Sequence, residues 1–122
     1  MNPKPRVLVA DDDESALKIL NMQLTEAGYD VTLASDGDEA IEFVKTTTFD
    51  VALLDVKMPR VVGIQVLKFI KEHSPSTKSI VLTGFADLGM AMDAMEFGAI
   101  DFFNKPYSID DLLLAVKRST HW

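Results

Sequence analysis

The 122-residue chain contains no cysteine. Disulfides and thiolate metal sites are therefore excluded, and a reducing compartment is the natural setting for such a sequence. Histidine is almost as scarce, with only His73 and His121, so a zinc centre lacks imidazoles as well as thiolates. Positive charge is in deficit: 12 lysines and arginines stand against 19 aspartates and glutamates, a formal net charge of −7. A field of that sign repels phosphate backbones, so direct contact of this chain with nucleic acid is not expected. No apolar run approaches the roughly 18–20 residues needed to cross a bilayer. The opening Met1-Asn2-Pro3-Lys4-Pro5 also lacks the apolar segment of a secretory signal. The expectation is a cytoplasmic protein with no membrane partner.

Apolar residues are plentiful, at 48%. That is enough for one layered core, and the length suits a single domain over residues 1–122. Four aliphatic runs read as strands: Val7 to Ala10, Val51 to Leu54, Ile80 to Leu82 and Ile100 to Phe103, the last weakened by Asp101. The first three are continuous rather than alternating, which suits strands covered on both faces. Tyr29 to Ala34 alternates more and reads as an edge strand.

Helical spacing fills the intervals. Leu17, Leu20, Leu24 and Ala27 fall on one face before Gly28. Asp36 to Lys45 carries Ala40, Ile41 and Val44, with Asp36 and Glu39 spaced as a capping box. A third helix runs from about Gly63 to His73 and stops at Ser74-Pro75. A fourth carries Leu88, Ala91, Met92 and Met95 and ends at Gly98. Ser108 caps a fifth, which buries Ile109, Leu112, Leu113 and Val116 and places Lys117 and Arg118 where cations suit the helix dipole. Strict alternation of strand and helix implies an α/β sandwich with a parallel sheet, because right-handed crossovers lay each helix on a face of the sheet.

In such sheets, ligands sit outside the carboxyl ends of the strands, where strand order reverses. The polar strand exits are Asp11-Asp12-Asp13-Glu14, Asp55, Thr83 and Lys105-Pro106. If the order is 2-1-3-4-5, Asp11, Asp12 and Asp55 converge, and a divalent cation such as Mg²⁺ makes such a cluster tolerable. The blander reading is that Asp12, Asp13 or Asp36 only caps the following helix. Asp55 resists that reading, since no helix pattern begins directly after it. Lys105 and Thr83, each taken alone, are ordinary surface and strand-end residues.

Together, Val9-Ala10-Asp11-Asp12-Asp13, Leu54-Asp55-x-x-Met58-Pro59, Leu82-Thr83-Gly84 and Asn104-Lys105-Pro106 resemble the receiver domains of two-component response regulators. The resemblance covers essentially the whole chain, with each motif at the end of the appropriate strand. Gly98-Ala99-Ile100-Asp101-Phe102 is similar to receivers attached to transcriptional regulators. It implies a flavodoxin-like, doubly wound α/β fold: a five-stranded parallel sheet in the order 2-1-3-4-5 with helices on both faces. It implies also that Asp55 accepts a phosphoryl group from a sensor histidine kinase, a histidine phosphotransfer protein or a small phosphodonor. No separate catalytic activity is implied beyond Mg²⁺-dependent self-phosphorylation and self-dephosphorylation.

By the same resemblance, Asp11, Asp12, Asp55 and the backbone carbonyl of Lys57 hold Mg²⁺. Lys105 pairs with a phosphoryl oxygen, and Pro106 matches a cis proline. Thr83 and Phe102 form the switch. Helix four, strand five and helix five form the output face and a candidate homodimer surface. Phe85 and Lys57 flank the path of attacking water, so Phe85→Ala is expected to shorten the phosphoryl lifetime. One departure is Met58-Pro59-Arg60-Val61-Val62-Gly63: Val62 stands where the family often has an acidic helix cap, which puts the start of helix three in question, and Arg60 makes the loop more basic.

Three rivals are weaker. A flavin or nucleotide fold wants a glycine-rich or hydroxyl-rich phosphate loop where this chain has aspartates. A haloacid-dehalogenase-like phosphatase wants a second Asp where Lys57 stands. A degenerate receiver, binding partners without phosphorylation, is expected to have lost an acidic-pair residue, the acceptor or the lysine, and all are present.

Overall fold

The structure is a computed structural model that describes residues 3–55, 60–84 and 88–120, with the backbone alone at 60–63, 88, 90 and 91. Strands and helices alternate throughout: β1 (Arg6–Ala10), α1 (Glu14–Glu26), β2 (Asp30–Ala34), α2 (Gly37–Thr46), β3 (Val51–Asp55), α3 (Arg60–His73), β4 (Lys78–Thr83), α4 (Leu88–Glu96), β5 (Ala99–Asn104) and α5 (Ile109–Thr120). All pairings are parallel and the sheet order is β2-β1-β3-β4-β5. The expected topology is therefore the observed one.

Alternation along each strand feeds two separate cores, which explains why the strands are apolar at consecutive positions. Leu8, Ala10, Ala52, Leu54 and Val81 pack with Ala40 and Val44 of α2, Val66, Leu67 and Ile70 of α3 and Ala94 of α4. Val7, Val9, Leu53, Ile80 and Leu82 pack on the opposite face with Leu17, Leu20 and Leu24 of α1 and Leu112 and Val116 of α5. Asp13 caps α1 by accepting from the Ser15 N–H at 2.9 Å, and Asp36 caps α2 through the Glu39 N–H at 2.8 Å. Glu39 reaches back to the Ser35 N–H rather than to that of Asp36, a capping box displaced by one residue. Gly28 and Gly98 end α1 and α4 at φ of 101° and 99°, a conformation that side chains with a Cβ resist.

Several local expectations are corrected. Ala27 is the exposed C-cap of α1 rather than part of its buried face. Among the described side chains of α4 the buried one is Ala94, while Met92 and Met95 are 63% and 50% exposed, and those of Leu88 and Ala91 lie outside the described residues. That helix is apolar at most positions, so spacing alone does not choose its inner face. Ile109 and Leu113 are only partly buried. In β5, Ala99 pairs with Ser79 and Asp101 with Ile80, so Ile100 is the extra residue of a bulge and is exposed. Asp101 turns its carboxylate onto the Phe102 N–H at 2.8 Å. Burial in β2 grades toward Ala34 instead of alternating, although the strand does lie at the sheet edge. Helix α3 begins at Arg60, three residues ahead of Gly63.

Candidate functional site

The carboxyl ends of β1, β3, β4 and β5 meet at one edge of the sheet. Asp11 follows β1 and Asp55 ends β3, and both are essentially inaccessible to solvent. The Asp13 N–H donates to Asp11 Oδ1 at 2.9 Å, so the turn that caps α1 also orients the Asp11 carboxylate. The Lys105 ammonium, carried just past β5, donates to Asp55 Oδ2 and stands 3.8 Å from Asp11 Oδ2. The Lys105–Pro106 peptide is cis, as the resemblance implied.

Two oxygens in this pocket stay unsatisfied. Asp11 Oδ2 and Asp55 Oδ1 are buried without a hydrogen-bond partner, and buried acceptors in that condition are costly. The tension shows in the titration of Asp11, whose carboxyl is raised to about 7, first by burial and then by the hydrogen bond to Asp55 that its protonated form makes. A proton shared between the two carboxyls, or a cation in its place, relieves such a pair. Hard oxygen donors facing one another fit a hard divalent ion such as Mg²⁺, so the residues present suit that group. Burial pulls the Lys105 ammonium downward, but its bond to Asp55 and the fields of both carboxylates outweigh this, and it titrates above the ordinary lysine value.

Asp12 stands exposed beside the pair. Among the described residues, no group of three or more acidic, histidine or cysteine side chains is already gathered around a cation position. Asp12 lies in the bend between β1 and α1, past the buried strand end that Asp11 continues. Thr83 is fully buried at the end of β4, and its carbonyl accepts from the Lys105 N–H at 2.7 Å. Phe102 is half-buried against the core shared by α2, α3 and α4. Lys57 and Phe85 lie outside the described residues, as do the side chains of Arg60 and Val62.

Tyr107 is a neighbour that sequence reasoning passed over. With Ala16, Ile19, Leu20, Pro106 and Ile109 it lines a groove of about 440 Å³ that runs up to Lys105. Its ring packs edge-on against Phe103, with centroids 6.0 Å apart. Burial, reinforced by the fields of Asp55 and Asp11 and opposed by Lys105, moves its phenol upward. The only signal in the sequence was an aromatic residue directly after Lys-Pro.

The response regulator receiver domain family matches residues 7–117, from the second residue of β1 into α5. The chain belongs to that family. The receiver is 34% identical over 115 residues to the transcriptional regulatory protein DltR of Streptococcus agalactiae, covering 94% of this chain and 51% of that protein. It thus spans about half the length of that relative. Among solved structures it is similar to the beryllofluoride-activated NtrC4 receiver domain dimer, at TM-score 0.87 and 40% identity, covering 95% and 96% of the two chains. A response regulator from Burkholderia pseudomallei, solved with a phosphorylated aspartic acid, a calcium ion and citrate, matches at TM-score 0.87 and 26% identity, with 97% of this chain and 69% of that one covered. The receiver is accordingly a component of two-component signalling whose relatives regulate transcription. Among the described residues, no helix is long and apolar enough to cross a membrane.

Proposed function

We propose that the receiver, over the whole of residues 1–122, takes a phosphoryl group onto Asp55 from the phosphohistidine of a sensor kinase or phosphotransfer protein in the cytoplasm. The observation that carries this reading is the Lys105 ammonium bonded to one oxygen of a buried Asp55 whose other oxygen has no partner. An Asp55 oxygen attacks phosphorus in line and the imidazole nitrogen of the donor leaves, forming an acyl phosphate. Phosphoryl transfer needs positioning and charge stabilisation more than covalent help. Lys105 moves its hydrogen bond from the carboxylate to a phosphoryl oxygen. Asp11, Asp12, Asp55 and the Lys57 carbonyl would hold Mg²⁺, which when bound offsets the charge gathered by carboxylates and phosphoryl group.

The output reading rests on Thr83, Phe102 and the exposed apolar residues of three elements. Thr83 hydrogen-bonds the new phosphoryl group and Phe102 turns into the space it leaves. Met92 and Met95 of α4, Ile100 of β5 and Leu114 of α5 are all half-exposed or more nearly so than core residues. They supply an apolar surface for a homodimer or effector. The solved NtrC4 dimer supports a receiver of this kind pairing with its own copy.

The test is incubation with Mg²⁺ and acetyl phosphate, followed by intact mass measurement under conditions that preserve acyl phosphates. A single added phosphoryl mass that is absent in Asp55→Asn is expected. No adduct in the parent chain would replace this reading with that of a receiver acting by binding alone.

A further inference from the structure

The groove beside Lys105 is built from two stretches of chain. Ala16, Ile19 and Leu20 come from α1, and Pro106, Tyr107 and Ile109 from the segment that enters α5. Among the described residues that line it, Lys105 alone carries a charge. Its volume of about 440 Å³ falls within the roughly 300–1,000 Å³ of small-molecule sites.

Three features define what such a groove can hold. Lys105 belongs both to the groove and to the acidic pocket, where its ammonium donates to Asp55, so the two spaces share a residue. The Tyr107 ring is packed edge-on against Phe103, with centroids 6.0 Å apart, and a wall made of a ring favours a ring opposite it. Ile19 is 53% exposed on a helix whose buried positions are Leu17, Leu20 and Leu24, so the α1 core gives no reason for an aliphatic side chain there. It also lies off the output face of α4, β5 and α5. A ligand joined to the phosphoryl group at Lys105 and apolar beyond it meets all three conditions.

We infer that the groove seats the acyl part of an aromatic acyl phosphate, so that the receiver takes its phosphoryl group from benzoyl phosphate in preference to acetyl phosphate. The inference rests on Asp55 being the phosphoacceptor and names a class of donor for it. An Asp55 oxygen forms a bond to phosphorus, the bond from phosphorus to the bridging acyl oxygen breaks, and benzoate leaves with that electron pair. No proton moves. The ring lies against Ile19, Leu20 and Tyr107 and leaves water there, whereas the methyl group of acetyl phosphate covers little of this surface.

The test is the rate of Asp55 adduct formation in Mg²⁺, read by intact mass, with phosphoramidate, acetyl phosphate and benzoyl phosphate as donors. Benzoyl phosphate should react with a second-order rate constant about 10-fold above that of acetyl phosphate. Ile19→Ser, at an exposed position, should lower this ratio about 3-fold, and Tyr107→Ala should lower it further. Tyr107→Phe keeps the ring and should keep the ratio. Phosphoramidate has no acyl body, so its rate should fall less in Ile19→Ser and Tyr107→Ala than that of benzoyl phosphate. Free benzoate should slow the reaction with benzoyl phosphate at concentrations where acetate does not.

A benzoyl-to-acetyl ratio that is the same in the parent, Ile19→Ser and Tyr107→Ala would overturn the inference, and the adduct itself would then still support the phosphoacceptor reading. An adduct from none of the donors would overturn that reading and the inference together.

Discussion

Lys105 is tied to Thr83 through the main chain, its N–H donating to the Thr83 carbonyl at 2.7 Å while its ammonium pairs with Asp55. The ladder between β4 and β5 thus places the lysine, and the side chain is left to do the chemistry. Lys105→Ala keeps the backbone bond and should fold normally and still bind Mg²⁺. Its Asp55 adduct from acetyl phosphate should form about 10- to 100-fold more slowly, matching the ~1.5–3 kcal/mol of a hydrogen bond to a charged group. A time course of intact mass measures this.

The buried carboxylate pair sets a pH dependence with a definite sign. Asp11 is raised from 3.8 to about 7, so the folded state holds a proton that the unfolded state has released. Its stabilising contribution is complete below pH 4 and is lost as pH rises through about 7. Relative to Asp11→Asn, the metal-free parent should therefore lose thermal stability across that window, by roughly 4 °C for each kcal/mol in a domain of this size. Added Mg²⁺ should recover the loss in the parent and do little for the variant. Paired melting curves from pH 4 to pH 8 decide it.

Neighbouring aspartates should separate into different roles. Asp13 caps α1, so Asp13→Ala should cost about 1 kcal/mol in denaturant unfolding. Asp12 is exposed, and Asp12→Ala should leave metal-free stability within about 0.5 kcal/mol while weakening Mg²⁺ binding. Equal destabilisation by both changes would mean that Asp12 also serves the helix.

The inner and outer faces of the sandwich should respond differently to truncation. Leu53 is fully buried on the central strand, and Leu53→Ala should cost about 2–5 kcal/mol. Met92→Ala and Met95→Ala should cost less than about 0.5 kcal/mol each, since both side chains are half-exposed or more. The methionine changes should instead weaken self-association of the phosphorylated protein, read by sedimentation.

The sequence by itself determined the alternating elements, the sheet order through its family resemblance, and the residue types at the strand ends. Continuous aliphatic runs, three-four helical spacing and glycine stops are local signals, and local rules suffice to read them. The tertiary structure alone decided which face of α4 is inward, because a helix apolar nearly all round is oriented only by what it packs against. It also produced the bulge that pushes Ile100 outward, which depends on how β5 aligns with β4. The same holds for the acidic pocket: the sequence supplied three aspartates and a lysine, but burial and neighbours, which no local pattern encodes, singled out Asp11 and Asp55 as the pair left short of a positive charge.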